Sequence, residues 1–399
     1  MNILKERTKS ICPICFKEID AKIYEKDKKA FMSKSCNEHG SFEVLIEKDA
    51  RIYKKLMNKN ELQKRIPFTN LMIPVTYSCN LNCPICYFPH KDRPDLPLED
   101  IKKIISDFEG PGIRISGGEP TLREDLPEII NFIRKEGKTP VLITNGLKLA
   151  EAGYVKKLKA SGLQKVSFSF NGLNDEVYNK INGRPLLNIK LKSLKNLMRE
   201  KIKVILSVML LKGTNDKELK KIYRFYIKNQ RYFDSLRIRA AVFLGRYNAD
   251  QEQTYLSEII DAMSRIIGVS SEELIEMSLA LNKGNHLPCQ IDFNLAQVFL
   301  RKSNMMNKIT PLFNKIKFGA TLLTELGLIN VYDIFMKKLL GRDPFLNLRI
   351  FIRVWHDKYR IDLVELGRCP SSHLVGETGN IVPFCYGLIF NDGLSLPKC

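Results

Sequence analysis

The chain runs to 399 residues, 44% of them hydrophobic, with 64 Lys and Arg against 44 Asp and Glu for a formal net charge of +20. A chain of this length holds two or three domains and can bury a large core. No apolar run approaches the roughly eighteen to twenty residues needed to cross a bilayer, so no integral membrane protein is expected.

No secretory signal is recognised, and the 10 cysteines fall in short motif spacings. Both point to metal ligation in a reducing cytoplasm rather than to disulfides. Residues 1–64 read as a small metal-binding domain. Cys12-Pro13-Ile14-Cys15 and Cys36-Asn37-Glu38-His39-Gly40 supply Cys-x2-Cys and Cys-x2-His, the two halves of a knuckle site. Residues 20–35 between them alternate like a hairpin. Cys12, Cys15, Cys36 and His39 suit tetrahedral zinc, or a single iron as in rubredoxin-like folds. A domain of about sixty residues barely folds on its own core, so the metal is expected to be structural. An incidental set of thiols and one histidine is the plainer reading.

Past a boundary near Lys64, Leu71-Met72-Ile73-Pro74-Val75-Thr76-Tyr77 reads as a strand, and Cys79, Cys83 and Cys86 follow in Ser-Cys-Asn-Leu-Asn-Cys-Pro-Ile-Cys-Tyr. Three thiolates spaced Cys-x3-Cys-x2-Cys on a loop can wrap one [4Fe–4S] cluster. Such clusters ordinarily take four cysteines, so three leave one iron open for chemistry. The alternatives are a zinc knuckle, which wants four ligands in separated pairs, or three unrelated thiols. Residues 89–97 are charged, proline-rich and expected at the surface.

Further strands end in polar or glycine stops: Ile113-Arg114-Ile115 into Ser116-Gly117-Gly118-Glu119-Pro120, Val141 to Gly146, and Lys165 to Gly172. Glycines there let a ligand approach the backbone. Glu119 and exposed carbonyls can accept hydrogen bonds from an ammonium group. Amphipathic helices are expected over 98–108, 126–136, 150–160, 189–200 and 216–228, the last capped by Thr214-Asn215. Residues 204–211 and 236–243 read as fifth and sixth strands. Six alternating strand–helix units imply an α/β fold, a partial (β/α)6 TIM-like barrel over 65–248 with its chemistry at the strands' C-terminal ends. Arg239 and Arg246 are within reach of a carboxylate there, although surface solvation is the commoner role of a single arginine.

Residues 249–399 form the third segment, helical with a hairpin. Arg368-Cys369-Pro370 and Val382-Pro383-Phe384-Cys385 put a cysteine on each arm of that hairpin, and Cys289 follows His286-Leu287-Pro288. Buried structural cysteines are the plainer reading. Residues 304–340 carry a broad apolar stripe flanked by lysines. Its usual meaning is core packing; the functional one is a helix at a membrane interface or along a hydrocarbon channel. The net charge favours anionic lipid or nucleic acid, with a lysine-rich, heat-adapted surface the first explanation.

Cys79, Cys83 and Cys86 followed by Tyr87, together with Gly117-Gly118-Glu119-Pro120, resemble the radical S-adenosylmethionine (SAM) superfamily from about Leu71 to Arg246. The resemblance implies a [4Fe–4S] cluster whose open iron is chelated by SAM, and a 5′-deoxyadenosyl radical that removes hydrogen from an unactivated carbon. It also implies an electron donor such as a ferredoxin or flavodoxin. Tyr87 is then expected at the adenine, Gly117, Gly118 and Glu119 at the methionine amino group, and Ser169 and Asn171 near the ribose or carboxylate. The C-terminal cysteines resemble extensions that hold an auxiliary iron–sulfur cluster, with Cys369, Cys385 and Cys289 as its ligands. The full set of motifs is similar to the archaeal tetraether lipid synthases and their relatives, formerly grouped with pterin methylases. That likeness implies a lipid hydrocarbon substrate and a peripheral membrane contact. Modification of a peptide, a pterin or RNA by the same radical is the enzymatic alternative. A non-catalytic metal- and nucleic-acid-binding protein is the alternative of another class.

Overall fold

The computed structural model describes residues 1–57, 67–88, 93–247, 252–282, 287–298, 323–324, 348–375 and 380–390. The apolar stripe of 304–340, Cys399 and the boundaries near 64 and 249 lie outside them, apart from residues 323–324.

The chain opens on a four-stranded antiparallel sheet of β1 (Asn2–Ile11), β2 (Glu18–Lys26), β3 (Lys29–Cys36) and β4 (Gly40–Glu47), in sequence order. The hairpin expected over 20–35 is β2–β3, turned at Asp27 and Lys28, both with positive φ. One face buries Ile23, Ala30 and Met32 against α1 (Ala50–Leu56).

The barrel follows as β5 (Asn70–Thr76), α2 (Leu98–Asp107), β6 (Gly112–Gly117), α3 (Leu126–Lys135), β7 (Thr139–Thr144), α4 (Ala152–Ala160) and β8 (Lys165–Ser169). It continues with α5 (Asp175–Asn182), α6 (Leu187–Arg199), β9 (Lys203–Leu210), α7 (Leu219–Lys228) and β10 (Phe233–Ala240). Strands β5 to β10 pair in parallel in sequence order, which is the expected partial (β/α) barrel. Each helix lays one stripe on the sheet; α3 buries Leu126, Ile129, Ile130 and Ile133. Each such side chain contributes roughly 1.5–3 kcal/mol. Asn215 is no side-chain cap. Its amide instead donates to the Asn171 and Met209 carbonyls, both at 2.9 Å, and accepts from Leu211 N–H, tying the ends of β8 and β9 together.

The C-terminal segment completes this sheet. After α8 (Leu256–Ile267) and α9 (Ser271–Asn282) come β11 (Gln290–Asn294), β12 (Arg349–Arg353), α10 (Leu363–Leu366), β13 (Ser371–Val375), β14 (Asn380–Pro383) and α11 (Phe384–Phe390). Strand β12 joins β10 and β13 joins β5, each in parallel, so the six-strand arc gains a parallel strand at both edges. Strands β11 and β14 cap those edges antiparallel.

The N-terminal sheet docks on the C-terminal segment through buried polar groups. Lys5 Nζ lies 3.0 Å from Asp362 and 3.3 Å from Glu365, and Thr8 donates to Asp362 at 2.6 Å. Lys34 Nζ donates to the carbonyls of Ile11 and Lys358, and burial pulls its pKa down to about 8.

Candidate active site and metal centre

Strand β1 ends into the Cys12–Cys15 turn, while β3 ends on Cys36 and turns through His39 into β4. The four ligand atoms all lie within 4.8 Å of one another. Cys12 Sγ to His39 Nδ1 is 3.7 Å, Cys36 Sγ to His39 Nδ1 3.6 Å and Cys15 Sγ to Cys36 Sγ 3.8 Å. Zinc bonds of about 2.3 Å to sulfur and 2.0 Å to nitrogen make tetrahedron edges of about 3.8 and 3.5 Å. The ligands therefore stand at single-ion spacing. His39 and the Glu38 N–H hold the Cys36 thiol below its ordinary pKa.

The second cysteine set has another geometry. Cys79, Cys83 and Cys86 leave β5 on a loop and stand half-buried on the wall of a cavity of about 890 Å³. Gly118 N–H donates to Thr76 O at 2.7 Å and Glu119 N–H to Ser78 O at 2.8 Å, so the β6 loop is sewn to the start of the cysteine loop. A Cβ at Gly117 would meet Thr76 O at 2.1 Å, and one at Gly118 would meet Ser78 O at 2.3 Å. From the other side, Arg246 N–H donates to Cys86 O at 2.8 Å and its guanidinium bonds Asn82. Arg246, partly exposed, thus clamps the cysteine loop.

Tyr87, Gly117, Gly118, Ser169 and Asn171, which the resemblance assigns to SAM, line the same cavity. Glu119 does not. It is fully buried, accepting hydrogen bonds from Thr121 N–H, Thr121 Oγ1, Thr144 Oγ1 and Asn145 N–H at 2.6–3.1 Å. Its carboxylate so ties the loops after β6 and β7 together. Of the aromatic residues on the cavity wall, Tyr87 packs edge-on against Trp355 and Phe88 stacks on Tyr77.

Two polar residues on helices escaped the sequence reading. Asn182, at the end of α5, donates to Cys83 Sγ at 3.2 Å, while its buried Oδ1 has no partner. Lys190 on α6 is fully buried and donates to the carbonyls of Asn145 (2.9 Å) and Ser169 (2.7 Å). Burial pulls its pKa down to about 8. Neither stands in a motif, and Lys190 sits among Asn188, Lys192 and Lys195 with nothing in the sequence to single it out.

Three thiols on an open wall, glycine backbone beside them and an unsatisfied acceptor at Asn182 fit a cluster with one free iron and a polar ligand on it. A second cavity, of about 730 Å³, adjoins the first; Ile143, Ser167 and Arg239 line both. Cys369 and Cys289 both act electrostatically on Cys385, which places the three thiols in one region of the C-terminal segment. Burial pushes Cys289 up to about 12 and Cys385 higher still.

This barrel with a cysteine-ringed mouth defines a class. Residues 73–226 match the radical SAM superfamily, and residues 4–48 match the HMPTM N-terminal zinc ribbon domain. Over residues 73–226 the barrel is similar to radical SAM domains. The chain is 35% identical over 276 residues to a 7,8-dihydro-6-hydroxymethylpterin dimethyltransferase of Methanocaldococcus jannaschii, covering 61% of this chain and 54% of that protein. It is 36% identical over 174 residues to a GTP 3′,8-cyclase of Aquifex aeolicus, covering 40% of this chain and 53% of that one. The chain spans about half the length of the curated relatives it matches. Among solved structures, Streptococcus suis SuiB bound to precursor peptide SuiA is similar with a TM-score of 0.44 and 19% identity, over 59% of this chain and 51% of that one.

Proposed function

We propose that the protein abstracts a hydrogen atom from an sp³ carbon of a small polar substrate held inside the barrel. The observation that carries this reading is the wall shared by the two cavities, which brings the cysteine-ringed pocket and the barrel interior into contact. Bound there, a [4Fe–4S] cluster with SAM supplies one-electron cleavage of a carbon–sulfur bond and a 5′-deoxyadenosyl radical. Cys79, Cys83 and Cys86 hold the cluster. Asn182 donates to the Cys83 sulfur, a contact of the kind that tunes cluster potential. Gly117 and Gly118 would offer bare backbone to the methionine amino group, Ser169 and Asn171 would lie near the ribose or carboxylate, and Tyr87, packed edge-on against Trp355, would meet the adenine. Glu119 and Lys190 act as positioning residues, each joining loops from two strand ends.

The named activity of the M. jannaschii relative supports a reduced pterin as the substrate to try first. The lipid reading draws on residues 304–340, which fall outside the described residues except for 323–324. Cys289, Cys369 and Cys385 are proposed as ligands of an auxiliary cluster, which requires iron in excess of four per chain after reconstitution.

Anaerobically reconstituted and reduced protein is expected to convert SAM to 5′-deoxyadenosine, and Cys83→Ala to lose this entirely. Substrate deuterated at the reacting carbon should place deuterium in the product. A Cys83→Ala variant that still cleaves SAM removes the assignment.

A further inference from the structure

Among the described residues, the barrel interior beside the SAM cavity is lined by Arg114, Arg237, Arg239 and Arg353 and by no aspartate or glutamate. The strand pattern puts them there. Arg237 and Arg239 alternate with buried Leu236 and Ile238 on β10, and Arg353 alternates with Ile352 on β12. The parallel register sets Arg239 opposite Arg353 and Arg237 opposite Phe351, so the guanidiniums gather on one inward face.

Their partners are neutral. Arg239 bonds Ser207, its buried Nε has no partner, and its guanidinium lies 4.9 Å from the Trp355 ring. Arg353 bonds Gln290, and Arg237 stacks over Phe351 at 5.3 Å. Arg349 provides the internal contrast. It shares a face of β12 with Arg353 but lies off the cavity wall, and it is paired to Asp292 at 2.9 Å. The arginine outside the cavity has a carboxylate partner, whereas among the described residues no carboxylate stands at ion-pair distance from those inside it, Asp234 acting on Arg237 only from farther off. Burial first, and then mutual repulsion, lowers the pKa of Arg114 to about 10 and that of Arg237 further.

We propose that this arginine cage binds a polyanionic group of the substrate, a phosphate chain or a set of carboxylates, and holds the rest of the molecule toward the SAM cavity. Several guanidinium forks converging on one space suit bidentate recognition of oxyanions. Stacking on Phe351 and Trp355 holds the planes in place while leaving their N–H edges for the ligand. Arg239, on the wall of both cavities, marks where the anionic end stops and the reacting end begins. The proposal takes the cage to be the substrate site of the reaction proposed above; anion binding itself does not depend on that reaction.

The test is calorimetric titration of the reconstituted protein at low ionic strength with inorganic pyrophosphate and, separately, citrate. One anion is expected to bind at a single site and raise the melting temperature, with affinity reduced at least tenfold in Arg114→Gln and in Arg237→Gln. Preference for pyrophosphate assigns a phosphate chain; preference for citrate assigns carboxylates. Cys83→Ala is expected to bind the same anion unchanged, so loss of radical chemistry and loss of anion binding are separate outcomes. Without anion, both arginine variants should melt at or above the parent temperature, because an unpaired buried charge is removed. Absence of binding by the parent protein overturns the proposal. So does equal binding by an Arg114→Gln/Arg237→Gln double variant, or melting of the anion-free variants below the parent.

Discussion

The N-terminal ribbon and the β5 loop both present cysteines, and they present them oppositely. In the ribbon, three of the six ligand–ligand edges measure 3.6–3.8 Å and all four ligand atoms lie within 4.8 Å of one another, the spacing of a single ion. On the β5 loop, three thiols sit around the rim of a cavity of about 890 Å³, backed by glycine and open toward the barrel. A closed tetrahedron is a structural device; an incomplete ring on a cavity is a reactive one.

Exchanging one ligand in each set sharpens that contrast most. Cys86→Ser is expected to abolish 5′-deoxyadenosine formation and remove the loop's iron, with little change in melting temperature. Cys36→Ser is expected to do the reverse: zinc is lost and the melting temperature falls by 10 °C or more, since metal affinity is folding energy in so small a module. Metal analysis and thermal melts on both variants decide it. If Cys36→Ser melts like the parent, the ribbon is not a structural site.

The difference between the two sets also explains what the sequence made legible. Cys-x2-Cys with Cys-x2-His, and Cys-x3-Cys-x2-Cys after a strand, are local spacings, and each gathers its own residues. The six parallel strands were legible too, because strands buried on both faces read as continuous apolar runs, as in β9. Long-range pairing was not. That β12 and β13 extend the two edges of the arc depends on contacts across more than a hundred residues. The orientation of Glu119 was equally hidden, because its partners Thr144 and Asn145 stand on another strand's loop. The arginines did leave a trace in Ile113-Arg114-Ile115 and in Leu236-Arg237-Ile238-Arg239. Cation–apolar alternation in a barrel strand means either solvent or an anion, and only the closed interior separates the two.

A milder perturbation is backbone contact between the β6 loop and the cysteine loop. Gly118→Ala adds a methyl group 2.3 Å from Ser78 O, a distance no real contact keeps, so the cysteine loop must shift. SAM affinity is expected to fall by roughly 10–100-fold, about 1.4–2.8 kcal/mol, with the ribbon's zinc unchanged. Equilibrium dialysis with SAM on the reconstituted variant checks this, and parent-like affinity breaks the claim that the two loops are held in register by bare backbone.

The smallest expected effect is the most specific to this site. Lys190 joins the β7 and β8 loops from α6, and burial lowers its pKa from 10.5 to about 8. A lowered lysine pKa means the unfolded chain holds the proton over pH 8–10.5 while the folded protein has released it. Stability contributed at this position therefore rises with pH through that window and is flat below about pH 8. Other groups titrate in the same range, notably the buried thiols, whose raised pKa values act in the opposite sense. The difference between parent and Lys190→Met cancels them. Urea unfolding of both proteins at pH 7.5, 8.5 and 9.5 should show the parent gaining on the variant by up to about 2 kcal/mol, at about 1.4 kcal/mol per pH unit once above the folded pKa. Parallel stability curves would mean that Lys190 keeps its proton when buried, and that the Asn145 and Ser169 carbonyls hold a full ammonium charge beneath the SAM cavity.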